Sequence, residues 1–136
     1  MKAKEMIYQC GRKRELLFND IFKGYHYYIL NLGTHPTAYI EIPKTSSLYK
    51  KDYDEISNIE VHGGFTYAKE YLYISENTKM NDSWFIGWDY AHLYDYVCHY
   101  IPIFEDQGKK WTTEEIIKEC HCVINQIIDK VGESNE

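Results

Sequence analysis

The segment from Thr112 to Gly132 constrains the fold most. Ile116, Ile117, Cys120, Val123, Ile124, Ile127 and Ile128 recur at helical spacing and lay one apolar stripe along one side of a helix. Thr112 or Thr113 supplies the N-cap, Glu114 and Glu115 favour the first turn, and Gly132 ends the helix near Val131. Burying such a stripe is worth on the order of 10 kcal/mol gross, at about 25 cal/mol per Å². A helix this one-sided has to dock on a partner, and the rest of the chain offers strands.

From Leu16 to Leu32 the chain is rich in Phe, Tyr, Ile and Leu and is broken by Asn19-Asp20 and Gly24, which predicts two strands or one bent at the glycine. Gly33-Thr34-His35-Pro36 carries turn chemistry, and Thr37 to Ile42 alternates until Pro43. This first half reads as a β-meander, preceded by a polar, basic lead-in or short edge strand around Arg12-Lys13-Arg14. Residues 44–55 form a polar connection long enough to be a functional loop. Trp84-Phe85-Ile86-Gly87-Trp88 reads as a central strand. The expectation is therefore one α+β domain over residues 1–136, a small, mostly antiparallel, curved sheet packed on one C-terminal amphipathic helix.

Composition narrows the partners. A net charge of -6 disfavours a nucleic-acid polymer, whose phosphates are gripped by a surplus of Lys and Arg. No apolar run approaches the roughly 18 residues of a membrane span, and the charged start carries no secretory signal, so the expected setting is the cytoplasm with no membrane partner. Cys10 and Cys98 stand alone, and Cys120 and Cys122 point about 200° apart on a helix, which predicts buried free thiols and no zinc site. Fourteen tyrosines are more ring surface than this core requires and suit pockets and interfaces.

Chemistry-bearing side chains gather in two segments, His62-Gly63-Gly64-Phe65-Thr66-Tyr67 and Asp89-Tyr90-Ala91-His92-Leu93-Tyr94-Asp95, the second followed by His99. If both leave neighbouring strands at one end of the sheet, His62, Asp89, His92 and Asp95 meet in a cleft. Such a set suits a divalent metal or a histidine base oriented by a carboxylate. The competing structural reading has Asp89 capping a turn and His92 bonded to a backbone carbonyl. The glycine pair lets the backbone turn sharply or approach a ligand, but it lacks the lysine and spacing of a phosphate loop. One of Phe85 and Trp88 is expected to face a pocket, whereas His26, His35 and His121 read as structural.

The ordered motifs Val61-His62-Gly63-Gly64-Phe65-Thr66-Tyr67 and Trp84-Phe85-Ile86-Gly87-Trp88-Asp89-Tyr90-Ala91-His92-Leu93-Tyr94-Asp95, with Tyr53-Asp54-Glu55-Ile56 before them and Trp111-Thr112-Thr113-Glu114-Glu115 and Cys120 after, resemble a family of small proteins found in phage genomes and in bacteria. The likeness covers roughly the last two thirds of the chain. That family often has Ala-His-Ala-Gly-Asp where this chain has Ala91-His92-Leu93-Tyr94-Asp95, so a tyrosine replaces a flexible glycine. The resemblance implies an accessory role, such as countering bacterial defence by sequestering a nucleotide signal in the host cytoplasm.

Three functions follow as expectations. The first is capture of a small nucleotide-like ligand by His62, Gly63, Gly64, Thr66, Tyr67, Trp88, Asp89, His92 and Asp95, with rings stacking on the base and the Gly63-Gly64 backbone holding phosphate. No cofactor is expected, and a homo-oligomer is one way to complete the pocket. The second is a metal-assisted or acid/base phosphoester hydrolase using His62, Asp89, His92 and Asp95. The third is a protein-binding inhibitor of a host factor.

Overall fold

A computed structural model describes residues 3–5, 13–56, 58–92, 95 and 108–131. The chain forms β1 (Glu15–Phe22), β2 (Tyr25–Asn31), β3 (Pro36–Ile42), a 3-10 turn (Tyr53–Glu55), β4 (Tyr67–Lys69), β5 (Leu72–Tyr73), β6 (Lys79–Met80), β7 (Trp84–Asp89) and α1 (Thr113–Val131). It is an α+β fold with a five-stranded antiparallel sheet in the order β1-β2-β3-β7-β4 and a separate β5-β6 pair. The first three strands are a meander, and β7 returns to insert between β3 and β4. The Trp84 strand is thus interior but second from the edge, and the central position belongs to β3.

Period-two alternation splits the sheet into two apolar faces. Tyr27, Ile29, Ala38, Ile40, Ile86 and Trp88 meet Ile116, Cys120, Val123, Ile124 and Ile127 of α1. The opposite residues of the same strands, Tyr28, Leu30, Tyr39 and Phe85, pack with Leu72 of the hairpin. Two covered faces explain why Tyr27 to Leu30 of β2 are an unbroken buried apolar run, and among the described residues Tyr25, Tyr27, Tyr28, Tyr39 and Tyr90 are core residues.

Thr112 caps α1 through reciprocal bonds: its hydroxyl accepts from Glu115 N at 3.2 Å, and its own N–H donates to Glu115 Oε1 at 3.0 Å. The expected stop at Gly132 lies outside the described residues, as do Cys10, Arg12, Cys98 and His99. Cys120 is a buried free thiol as expected, but Cys122, on the far side of the helix, is exposed. No described helix is long and apolar enough to cross a membrane. The 44–55 connection closes on a capping box between Asp52 and Glu55.

Candidate functional site

The two motif segments meet. The His62 and His92 rings lie edge to face with centroids 5.6 Å apart, although 30 residues separate them in the chain. Gly63 makes this approach available: a β-carbon there would fall 2.0 Å from His92 Nε2, and its φ of +68° is one that side chains rarely adopt. Gly63 therefore serves the packing of a histidine. The pair leaves less for a phosphate than expected, because the Gly64 N–H is already donated to Val61 O at 3.0 Å.

His62 and Asp95 form a tight polar contact, Nε2 to Oδ2 at 2.7 Å. The His62 ring stacks on Tyr90, with centroids 4.7 Å apart, and meets Trp111 edge-on at 5.0 Å. Its backbone N–H donates to Glu119 Oε2 of α1 at 3.0 Å, while the other Glu119 oxygen accepts from the Tyr90 hydroxyl at 2.5 Å. The Trp88 indole completes this chain by donating to Tyr90 Oη at 3.0 Å. Burial pushes the Tyr90 phenol far above its ordinary range, and the Glu119 carboxylate adds to the rise, so it stays a donor at any ordinary pH.

Asp95 is held from three sides, by His62, by the His92 N–H at 3.0 Å and by the Trp111 indole at 2.9 Å. Burial alone would raise its pKa, but these donors outweigh burial and hold the carboxyl below the usual range. An isolated bridge to Lys109 ties the same residue to the run into α1.

Asp89, at the end of β7, stands between this cluster and a cavity. One carboxylate oxygen accepts from Thr66 Oγ1 at 2.9 Å; the other accepts from Ala91 N at 3.1 Å and lies 3.2 Å from His92 Nε2. The turn role anticipated for Asp89 and its place in the cluster thus coexist. The cavity, about 210 Å³, is lined by Leu32, His35, Thr37, Tyr39, Thr66, Tyr67, Trp88 and Asp89. Its aromatic wall has a specific cause. Gly87 is paired with Tyr39 on one side and Tyr67 on the other, and the two rings meet edge to face at 5.0 Å. A β-carbon at Gly87 would lie 2.4 Å from the Tyr39 ring.

Among the described residues, two buried side-chain polar atoms have no hydrogen-bond partner, Thr37 Oγ1 and His92 Nε2. Both are neighbours of Asp89. Thr37 is its register partner across β3 and β7, and His92 Nε2, close as it is to the carboxylate, makes no bond of proper geometry with it. Tyr39 lies close enough to Thr37 for a side-chain contact to oppose the rise that burial imposes on its phenol, but that contact falls short of hydrogen-bond geometry. Buried polar groups are nearly always paired, so two exceptions around one carboxylate are unusual.

Of the residues anticipated from sequence, Thr66, Tyr67, Trp88 and Asp89 line the cavity, and His62, His92, Asp95 and Gly63 form the adjoining cluster. Gly64 is exposed and borders neither. The four proposed metal ligands fall into two separate pairs, and no three His, Cys, Asp or Glu side chains among the described residues converge to hold a metal ion. Contributors not singled out include His35, Thr37, Tyr39, Tyr90, Trp111 and Glu119. His35 was read as structural and does bond locally to Thr34, but it also lines the cavity. No family model, curated protein or solved structure matches this chain.

Proposed function

We propose that the protein binds a small nucleotide-like ligand and that the Asp89 cavity takes the ligand's ring portion, a heterocycle or a ribose diol. The observation that carries this reading is the pair of buried atoms that make no hydrogen bond of proper geometry, Thr37 Oγ1 and His92 Nε2, on either side of Asp89. Asp89 accepts hydrogen bonds, the Thr37 hydroxyl donates or accepts, and the Tyr39 and Tyr67 rings offer apolar edges. Amide, amino and diol groups on a flat ring satisfy such a set. A cavity of about 210 Å³ is below the roughly 300 Å³ of sites that swallow drug-sized ligands whole, so the rest of the ligand lies outside it. Sequestration in the host cytoplasm as a phage-type accessory activity accords with the sequence resemblance.

The His62–Asp95 contact favours one alternative, acid/base hydrolysis of a phosphoester. Nε2 is fixed by Asp95 at 2.7 Å, and the side chain remains 23% exposed, so an oriented imidazole is open to solvent. Both readings are tested together by incubating the protein with a lysate, isolating it, heating it and identifying the released molecules by mass spectrometry. An intact nucleotide supports capture. A converted product supports catalysis, and release of no small molecule counts against both.

A further inference from the structure

The cavity's tyrosine wall continues outward as a row of rings. Tyr39 and Tyr67 meet at 5.0 Å, Tyr67 and Tyr71 at 6.5 Å, and Tyr71 and Tyr73 at 6.0 Å, each pair edge to face. The row starts at a buried ring and ends at Tyr73, which is 40% exposed. Its backbone is tied in, since the Tyr67 hydroxyl donates to Tyr71 O.

Two cations border this row. Lys79 Nζ lies 4.8 Å from the Tyr71 ring centroid and 5.6 Å from that of Tyr73, close enough for the rings to orient the ammonium. Arg14 donates through Nη1 to Tyr73 O at 3.0 Å, and its positive charge reaches the phenols of both Tyr39 and Tyr67, opposing the rise that burial imposes on them. Among the described residues neither side chain is paired with a carboxylate; Glu76 is nearby but accepts from the Arg14 backbone N–H. In a chain of net charge -6, two cations left without carboxylates beside a row of rings that leads out from a cavity wall are an anion-binding arrangement.

We infer that the Tyr71–Tyr73 row with Lys79 and Arg14 is the second half of the ligand site, holding the phosphate of a nucleotide whose ring occupies the Asp89 cavity. This rests on the ring-binding reading above and specifies its ligand class: a 5′-phosphorylated nucleoside and not a free base or nucleoside. It also moves the phosphate away from Asp89, which would repel it, and away from Gly64, whose N–H is already used.

The test is isothermal titration of the four common ribonucleosides and their 5′-mono- and diphosphates into the wild type, Lys79→Gln and Lys79→Arg. Lys79 is exposed, so neither change threatens folding, which circular dichroism checks. At least one nucleotide is expected to bind about tenfold tighter than its nucleoside. That advantage shrinks as salt is raised, disappears in Lys79→Gln and survives in Lys79→Arg. Nucleoside binding with no gain from phosphate, or a gain that Lys79→Gln keeps, overturns this inference and leaves the cavity reading intact. Absence of binding by every nucleoside and nucleotide overturns both.

Discussion

Gly63 lies directly against His92, so closely that the missing side chain of the one defines the position of the ring of the other. Gly64, one residue on, shares the left-handed backbone (φ +81°) but faces open space. The pair separates two costs. Gly64→Ala meets only backbone strain and is expected to lose about 1 kcal/mol in urea unfolding. Gly63→Ala adds a collision with His92 and is expected to lose roughly 2–4 kcal/mol and to weaken ligand binding. Equal losses for the two would show that the His92 contact is not what requires Gly63.

Thr37→Val keeps the side chain's shape and removes a buried hydroxyl that has no partner. The unliganded protein is then expected to be as stable as wild type or more stable, by about 1 kcal/mol. Ligand affinity should move the other way. A variant destabilised by the change would mean that the hydroxyl already has a partner in the free protein.

Asp95 has a folded-state pKa below its unfolded value near 3.8, so its contribution is fully present above that value and is lost as pH falls through the folded pKa. Asp95→Asn loses the charge-assisted bonds from His62, the His92 N–H and Trp111 and is expected to cost about 1–3 kcal/mol at neutral pH. Urea unfolding between pH 6 and pH 2 should show the wild type converging on the variant at the acid end. Parallel profiles would contradict this account.

His35 has the opposite charge type with the same direction of effect. Burial pulls its pKa below the ordinary 6.5, a pull that Asp89 and Asp95 only partly offset. The unfolded chain therefore binds the proton more readily, and stability present above 6.5 falls as pH drops below it. His121, also lowered by burial, adds a similar slope elsewhere in the fold. In His35→Gln the stability loss between pH 7 and pH 5 is expected to be shallower than in wild type. A slope unchanged by the substitution would place the pH sensitivity elsewhere.

Much of the architecture was legible in one dimension because its signals are local. The stripe from Ile116 to Ile128 and the Thr112 cap foretell α1, and the break at Gly24 foretells the β1–β2 hairpin. The meeting of the His62 and His92 segments was legible as a conditional, since it required both to leave the same end of the sheet. What stayed hidden depends on pairing between distant residues. Nothing in the sequence around Thr37 says that its register partner is Asp89, and nothing around Glu119, one position before a core cysteine, says that it reaches Tyr90 and the His62 backbone. The demand on Gly63 was hidden for the same reason, since the neighbour that requires it lies 29 residues away.

Trp111 donates its indole hydrogen to Asp95 and touches the rings of both His62 and Tyr90. An indole so placed is a natural optical gauge. Any event that shifts the imidazole or neutralises the carboxylate changes the polarity and the quenching around this fluorophore. With Trp84 alone replaced by phenylalanine, the remaining emission comes from Trp111 and from Trp88 of the cavity wall, and its colour and lifetime would report on the site without an added label.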